Sequence, residues 1–353
     1  MTDMTAYEVK KKALELGAHL VGIASAKTIN ENFPPPESHA RPLSLAEKSS
    51  PSPQTVRQDN PMLRTRISQT RPQNLEPILH GAKSVIVLAL RLLWAMSRLK
   101  RWNSREAHYT GELILTHAEE IGIELVWFLE GKGYPSIVIP ASYSRALQID
   151  QLNEGPVSLP HLAVEAGLGT LGLNGMLLTP EYGPRVVLGA VVTAAELEAD
   201  RRIETALCLG ESCGRCLLAC PGDAIGHWEM DVEKCRPYSS PYGYHFVREH
   251  ARRVLEEQDP HQKMEIVRST DTFMIWQSML RGVGVLTGCT RCADVCPVGA
   301  DYQEHLEEVE EGIPESTPEK EEKLHQIRLK ATSGESIDQY EKDKRWIGAL
   351  QNK

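Results

Sequence analysis

The chain has 353 residues, 41% of them hydrophobic and 25% charged, the proportions of an ordinary globular protein with room for more than one domain. Its 48 acidic and 39 basic residues give a net charge of −9, which disfavours nucleic acid as a partner. The most apolar run, Ser84–Leu90, is far shorter than the roughly 20 residues of a membrane span. Residues 1–20 carry charges throughout and lack the apolar centre of a signal peptide, so we expect a cytoplasmic protein.

The N-terminal part, residues 1–75, predicts one helix, one strand and a long loop. Apolar residues recur at helical spacing over Ala6–Leu16, and Gly17 is a natural stop. Leu20–Ser25 reads as a short strand. Residues 28–73 are rich in Pro, Ser, Asn and Gln, and we interpret them as a wrapping loop that covers a ligand.

Residues 76–204 alternate strand and helix patterns, which predicts an α+β core with layered helices and sheet. The predicted strands are Ser84–Leu90, Ser136–Pro140 and Arg185–Val192. The predicted helices are Gly111–Lys132, closed by Gly133, and Leu159–Ala166. For the longer helix we expect a core face made of Leu113, Leu115, Ala118, Ile121, Leu125 and Phe128.

All eight cysteines fall within residues 205–302, which we predict to be a separate metal-binding domain. The remaining residues, 303–353, are charged, and we expect an acidic tail in which Glu307–Glu322 forms a solvated helix or is partly disordered. Because thiols stay reduced in the cytoplasm, the cysteines indicate metal ligands rather than disulfides.

Two islands of cysteines share the spacing Cys-x-x-Cys-x-x-x-Cys-Pro. In the first island the pattern is formed by Cys213, Cys216 and Cys220. In the second island it is formed by Cys289, Cys292 and Cys296. In bacterial two-cluster ferredoxins with this spacing, the last cysteine ligates the neighbouring four-iron, four-sulfur cluster. The spacing predicts two 4Fe-4S clusters with crossed ligands that pass electrons. A pair of structural zinc sites is the alternative, although zinc sites do not need the repeated third cysteine and proline.

The crossing assigns every cysteine. Cluster one takes Cys208, Cys213, Cys216 and Cys296. Cluster two takes Cys235, Cys289, Cys292 and Cys220. The chain departs from the ferredoxin pattern because four residues separate Cys208 from Cys213 and because Cys235 lies far before its partners.

A glycine-rich segment between Asn153 and Arg185 precedes the cysteines. It contains Gly167, Gly169, Gly172 and Gly175, which allow close approach of the backbone to a flat or bulky ligand. A tight connection between a helix and a strand is the simpler explanation of the same glycines. A dinucleotide fingerprint is excluded because the segment follows a helix rather than a strand.

The segments Ala166–Gly175 and Leu177–Arg185 resemble the signature of cobalamin-dependent reductive dehalogenases and, more loosely, that of epoxyqueuosine reductases. The resemblance covers about residues 75–300. It implies a corrinoid-binding domain of nitroreductase-like fold followed by a two-cluster ferredoxin-like domain. It further implies cobalamin bound without a protein ligand to cobalt, against the residues Gly167, Leu168, Gly169, Gly172, Asn174 and Gly175.

The same resemblance suggests residues that handle protons. Asn153 stands where epoxyqueuosine reductases have a catalytic aspartate, and an amide does not donate a proton in that way. Arg185 matches the basic residue that makes a tyrosine proton donor more acidic in reductive dehalogenases. Tyr134 and Tyr143 are the candidates for that tyrosine, and Tyr182 is a poorer one because its position is usually aromatic for packing. A packed core residue is the favoured explanation of any one of them.

Three functions remain open at this point. The first is a corrinoid-dependent reductase that acts on a small organic substrate, with a halide as the family's usual leaving group. Such an enzyme needs an external ferredoxin, flavodoxin or reductase as its electron donor. The second is an electron-transfer or corrinoid-reducing activator protein, and the third is a tRNA-modifying reductase of the epoxyqueuosine type.

Overall fold

A computed structural model describes residues 4–32, 75–76, 78–97, 104–139, 157–281, 288–303, 312–332 and 342. Four antiparallel strands make its main sheet, in the order β1–β2–β6–β3. These strands are β1 Leu20–Ser25, β2 Ser84–Arg91, β3 Ser136–Ile139 and β6 Val186–Thr193. A separate two-stranded ribbon pairs β4, Thr170–Leu171, with β5, Leu177–Leu178.

Strand β2 lies inside the sheet and is buried on both faces. Val85 and Val87 point into one hydrophobic cluster, whereas Ile86 and Leu88 point into another. Because successive side chains of a strand point to opposite faces, a strand covered on both sides reads as a continuous apolar run. The strand predicted at Ser84–Leu90 is therefore confirmed, with Arg91 added at its end.

Helices cover both faces of the sheet, so the predicted mixed, layered α/β core is confirmed. Helix α1, Ala6–Glu15, and helix α4, Ser104–Glu130, pack on the face that carries Ile86. Helix α2, Ala26–Asn32, and helix α5, Leu159–Glu165, pack on the other face. A short helix α3, Trp94–Ser97, follows β2.

The prediction for the long helix was right in place and partly wrong in its buried face. Leu115, Ala118, Ile121 and Leu125 are buried as expected, but Leu113 is 59% exposed. The helix starts earlier than predicted, and its buried stripe continues through Val126 and Leu129 rather than beginning at Leu113. A stripe of period 3.6 explains both observations, because Leu113 falls on the opposite side from Leu115.

The cysteine region is built from short helices. They are α6 Arg215–Leu218, α7 Val232–Ser239, α8 Tyr244–Glu256, α9 Pro260–Val267, α10 Thr270–Arg281, α11 Arg291–Asp294 and α12 Ala300–Gln303. The last described helix is α13, Pro318–Thr332. None of the helices in the described ranges is long and apolar enough to cross a membrane.

Two expectations about irregular segments need correction. The loop predicted from residue 28 begins later, because residues 28–32 belong to α2; the rest of that prediction, 33–73, lies outside the described residues. The expected solvated tail contains α13, whose Leu324 and Ile327 are buried in a cluster beside the cysteines. Its composition is polar because only one side of the helix is buried.

Candidate functional site

The cysteine islands lie side by side. In the first island, Cys213 follows a 3₁₀ turn at Gly210–Ser212, and Cys216 lies on α6. In the second, Cys292 lies on α11, and the Arg215 Nε donates a hydrogen bond from the first island to the Val295 carbonyl, 3.0 Å away. The two short helices thus hold the two Cys-x-x-Cys turns next to each other.

One group of thiols joins both islands. A small cavity is lined by four cysteines, which are Cys208, Cys213, Cys216 and Cys296. The pKa of the Cys216 thiol is raised, first by burial and then by the three other thiols of this group. Cys296, from the second island, thus lies among the thiols of the first, the arrangement that the sequence spacing predicts for crossed ligands.

The other four thiols form a second group. Burial raises the pKa of the Cys289 thiol to about 12, and the thiols of Cys235 and Cys220 add to the increase. Burial also raises the pKa of Cys292, which interacts with all three of these thiols and with Cys216. Helix α7 carries Cys235 to this group, and the Cys289 amide donates to the Tyr238 carbonyl at the end of that helix.

Backbone amides are directed at two of the sulfurs. The amides of Leu173 and Gly210 each lie 3.3 Å from the Cys208 Sγ, and the Ala224 amide lies 3.2 Å from the Cys220 Sγ. Amide donors stabilise thiolates and are one of the means by which proteins tune iron–sulfur clusters.

This donor set suits a cationic cluster. Burial raises the pKa of Cys296 to about 11, so four adjacent thiols ionise together only if positive charge lies between them. Among the described residues, no three histidine, cysteine or carboxylate side chains lie close enough to hold a single metal ion. Two groups of four thiols, one of them around a cavity, fit one iron–sulfur cluster each.

The residues expected to bind a corrinoid face protein instead. A side-chain carbon added at Gly169 would lie 1.9 Å from the Leu178 carbonyl oxygen, and one at Gly167 would lie 2.4 Å from that of Arg201. At Gly172, an added carbon would meet side chains instead, those of Asn174 at 2.8 Å and Leu178 at 3.0 Å. These glycines allow the chain to pack tightly against itself, which is the simpler of the two explanations that the sequence left open.

The other members of that set have structural roles too. Leu168 is buried in the sheet's hydrophobic cluster, and Gly175, at φ 72°, makes the turn of the β4–β5 ribbon. Asn174 is buried, accepts from the Met176 amide and donates to the Cys292 carbonyl at 3.3 Å. Each of the six residues therefore has a packing role, their role towards a corrin stays a prediction, and we derive no chemical step through one.

Arg185 joins the sheet to the second island. Its guanidinium is buried and donates to three carbonyls, those of Ala293 at 3.3 Å, Cys296 at 3.1 Å and Val298 at 2.8 Å. The Asp301 carboxylate lies 3.5 Å from the same group. This geometry favours a structural role for Arg185 over the expected role beside a tyrosine.

Close backbone contact completes this junction, which we call the seam and define as residues 173–185 with 293–301. Gly183, at φ 53°, lies so near the second island that an added side-chain carbon would be 1.8 Å from the Val298 carbonyl oxygen. The amides of Ala300 and Asp301 donate to the Pro180 and Glu181 carbonyls. The glycine-rich segment and the second cysteine island are both visible in the sequence, but only the fold shows that these two segments meet.

Tyr134, one of the tyrosines predicted to work with Arg185, does not lie beside it. Tyr134 packs between α1 and α4, and its hydroxyl accepts from the Met4 amide at 3.5 Å. It precedes β3, whose Ser136 pairs with Thr193 at the far end of β6, whereas Arg185 precedes the near end. At about 3.3 Å per residue, the length of β6 puts them roughly 25 Å apart. The pairing of Tyr134 with Arg185 was wrong; Asn153 and Tyr143 lie outside the described residues.

Sequence reasoning also missed residues that support the islands. The Arg291 guanidinium, between two cysteines, binds both carboxylate oxygens of Glu315 at 2.6 and 2.9 Å. Helix α13 packs Leu324 against Gly214, where an added side-chain carbon would clash at 2.4 Å. Charged residues of a presumed solvated tail gave no signal that they bind the cysteine region.

Comparisons with known proteins give two kinds of relative, while no protein-family model matches the chain. An epoxyqueuosine reductase of Gloeobacter violaceus is 27% identical over 296 residues, which are 83% of this chain and 76% of that protein. One from Listeria monocytogenes is 31% identical over 165 residues, 46% of this chain and 35% of that protein. A tetrachloroethene reductive dehalogenase of Desulfitobacterium hafniense is 36% identical over 97 residues, 26% of this chain and 17% of that protein.

The chain is similar in sequence to both epoxyqueuosine reductases and reductive dehalogenases. The resemblance to this superfamily that was expected from the sequence is thus confirmed. The match spans about a third of the Listeria relative's length and about three quarters of the Gloeobacter relative's. Among solved structures, an epoxyqueuosine reductase with a tRNA-Tyr epoxyqueuosine-modified stem loop is 18% identical, with a TM-score of 0.44 over 83% of this chain and 64% of that one.

Proposed function

We propose that the chain is an iron–sulfur oxidoreductase whose two 4Fe-4S clusters pass electrons to a bound acceptor. The observation that carries the proposal is the position of Cys296 among the thiols of the first island. Crossed ligands bring two clusters close together, and closeness is what electron transfer between them requires. Structural zinc sites do not need this exchange of ligands.

Cobalamin is the acceptor that the resemblance to this superfamily favours. One solved relative is described as acting in B12-dependent dehalogenation. A corrinoid, when bound, supplies a reducible metal centre that side chains do not offer. The chain's own contribution is to hold the clusters: Asn174 and Arg185 fix the second island by its carbonyls, and Leu173 fixes Cys208.

For the substrate, we propose an epoxyqueuosine-type modified nucleoside in tRNA. The relative matched over most of this chain is an epoxyqueuosine reductase, whereas the dehalogenase matches only 97 residues. This reverses the order of our expectations from sequence, in which a small organic substrate came first and nucleic acid was disfavoured. The net charge of −9 and the amide at Asn153 remain the arguments on the other side.

A small halogenated substrate is the second candidate. The dehalogenase has the higher sequence identity, 36%, over the 97 residues that it matches, and this favours a halogenated substrate. A corrinoid-reducing activator is the third, since the six residues assigned to the corrin have contacts within the chain itself.

One experiment separates the three. The full chain is purified anaerobically with cobalamin supplied, and iron, sulfide and corrinoid are measured. Reduction of the epoxide in tRNA that carries epoxyqueuosine, followed by mass spectrometry of the nucleosides, is the expected result. Release of halide from tetrachloroethene or a halogenated phenol, without nucleoside conversion, would favour the second candidate. The matched control is Cys216→Ala, which removes a cluster ligand. Two zinc ions and no sulfide in the purified chain would overturn the proposal.

A further inference from the structure

Helix α13 and the residues before it bind both cysteine islands. Glu315 holds Arg291 of the second island by two hydrogen bonds. Arg328 donates to the carbonyls of Glu211 and Ser212 in the first, at 2.9 and 3.1 Å. Leu324 fills the space beside Gly214. The helix is therefore fixed against the cysteine region at several points along its length.

Lys320 lies at the centre of these contacts. Its ammonium donates to three carbonyl oxygens: Cys220 at 2.8 Å, Leu218 at 3.2 Å and Glu315 at 2.7 Å. An ammonium has three hydrogen-bond donors, so all of them are used and the charge has one fixed position. That position adjoins the backbone of a cysteine that we assign to cluster two.

The charge of Lys320 is less neutralised than that of its neighbour Lys323. Its three hydrogen bonds go to neutral carbonyls, and the nearby Glu315 carboxylate is held by Arg291. Lys323, three residues on, forms an ion pair with Asp223 at 2.8 Å, with both side chains partly exposed. Both lysines are partly exposed, so the difference lies in the Asp223 carboxylate, which offsets the charge of Lys323 directly.

We propose that the Lys320 ammonium raises the reduction potential of the iron–sulfur cluster that Cys220 ligates. The inference rests on the proposed iron–sulfur function. Reduction adds one negative charge to a cluster, and a fixed positive charge beside a ligand stabilises the reduced form. Lys320 is thus a positioning residue for electron flow and does not touch a substrate.

The test is a redox titration of both clusters, followed by electron paramagnetic resonance, in the full chain after anaerobic loading with iron and sulfide. Lys320→Met should move the potential of the cluster ligated by Cys220 to more negative values, with a smaller shift in the other cluster. Lys323→Met is the matched control on the same helix and should leave both potentials near those of the unmodified chain. Equal shifts in both clusters, or no shift, overturn the proposal.

The iron content of a Lys320 variant decides how its reduction potential is interpreted. If Lys320→Met retains fewer irons, Lys320→Gln is titrated instead, because its amide still donates to two carbonyls without the charge. An unchanged potential in Lys320→Gln, or loss of the cluster in both variants, makes Lys320 a structural residue and overturns the tuning role. Absence of iron and sulfide from the unmodified chain would instead overturn the proposed function, so the two failures are distinguishable.

Discussion

The sheet layers and the cysteine region are held together by different forces. Around β2 the contacts are aliphatic side chains buried on two faces of a sheet. Around the cysteines the helices are short, and charged side chains donate to backbone carbonyls, as Arg185, Arg215 and Lys320 do. The first region has two large hydrophobic clusters, whereas the second has one smaller cluster and is held in addition by charged hydrogen bonds.

The comparison teaches where each kind of damage should appear. Loss of apolar contact in the sheet should lower the free energy of unfolding and leave the metal content per folded chain unchanged. Loss of a ligand or of a charged hydrogen bond beside the islands should change the metal content first.

The largest effect is expected from the crossed ligands. Cys296→Ala should remove the cluster held by the first island, so that iron falls from about eight to about four per chain. Cys220→Ala is the matched variant and should remove the other cluster. Paramagnetic spectra of the two variants check the assignment. If each variant instead loses the cluster of the island in which its replaced cysteine lies, the crossed assignment is wrong.

A buried leucine tests the sheet. Leu88 is fully buried in β2, and Leu88→Ala should lower the free energy of unfolding by about 2–5 kcal/mol because it leaves a cavity. Leu113→Ala, on the exposed side of α4, is the control and should change it little. Denaturant unfolding gives the values, with iron per folded chain measured alongside. A large loss of iron in Leu88→Ala would contradict the independence of the two regions.

Arg185 lies between the regions and should affect both. Arg185→Met leaves carbonyls of the second island without their donor, and we expect about 3 kcal/mol less stability together with reduced iron content. Arg202→Met, which breaks a pair with Glu165 at 3.6 Å, is a control within the α/β core and should spare the iron. Iron analysis and unfolding on the same samples decide the matter. Full iron content with loss of turnover alone would return Arg185 to a catalytic role.

The smallest effect comes from two helix caps, one in each region. Thr5 caps α1 and Asp231 caps α7, each by accepting a backbone amide. Replacing either by alanine should cost about 1 kcal/mol. Thr5→Ala should lower the thermal unfolding temperature only, whereas Asp231→Ala should also speed the loss of iron to a chelator, because α7 carries Cys235. Equal rates of iron loss in the two variants would count against this difference.

Much of the layered core could be predicted from sequence, because burial leaves a periodic trace. The continuous apolar run of β2 and the stop at Gly17, φ 110°, are local signals. The antiparallel strand order has no such signal, since it depends on which strands meet. Leu113 was assigned to the wrong side because it was included for its apolar side chain, although the helical period places it opposite Leu115.

At the site, the spacing of the cysteines predicted which thiols the fold brings near one another, and their ligation of two clusters stays a prediction. The roles of Arg185, Gly183 and Lys320 could not be predicted in this way. Each bonds to, or lies against, a backbone carbonyl far away in sequence, and a carbonyl is the same in every residue. Only the folded chain shows which carbonyl is near.

The contact of Leu324 with Gly214 has a consequence for the order in which the protein is made. About 110 residues separate them in the sequence. At on the order of 5–20 residues per second, the ribosome therefore adds Leu324 roughly 5–20 s after Gly214. During that interval the first island is synthesised but not covered by its closing helix. If the proposed clusters are loaded from iron and sulfide, translation sets the interval in which the first island is open, and loading after that interval would require α13 to move away from Gly214.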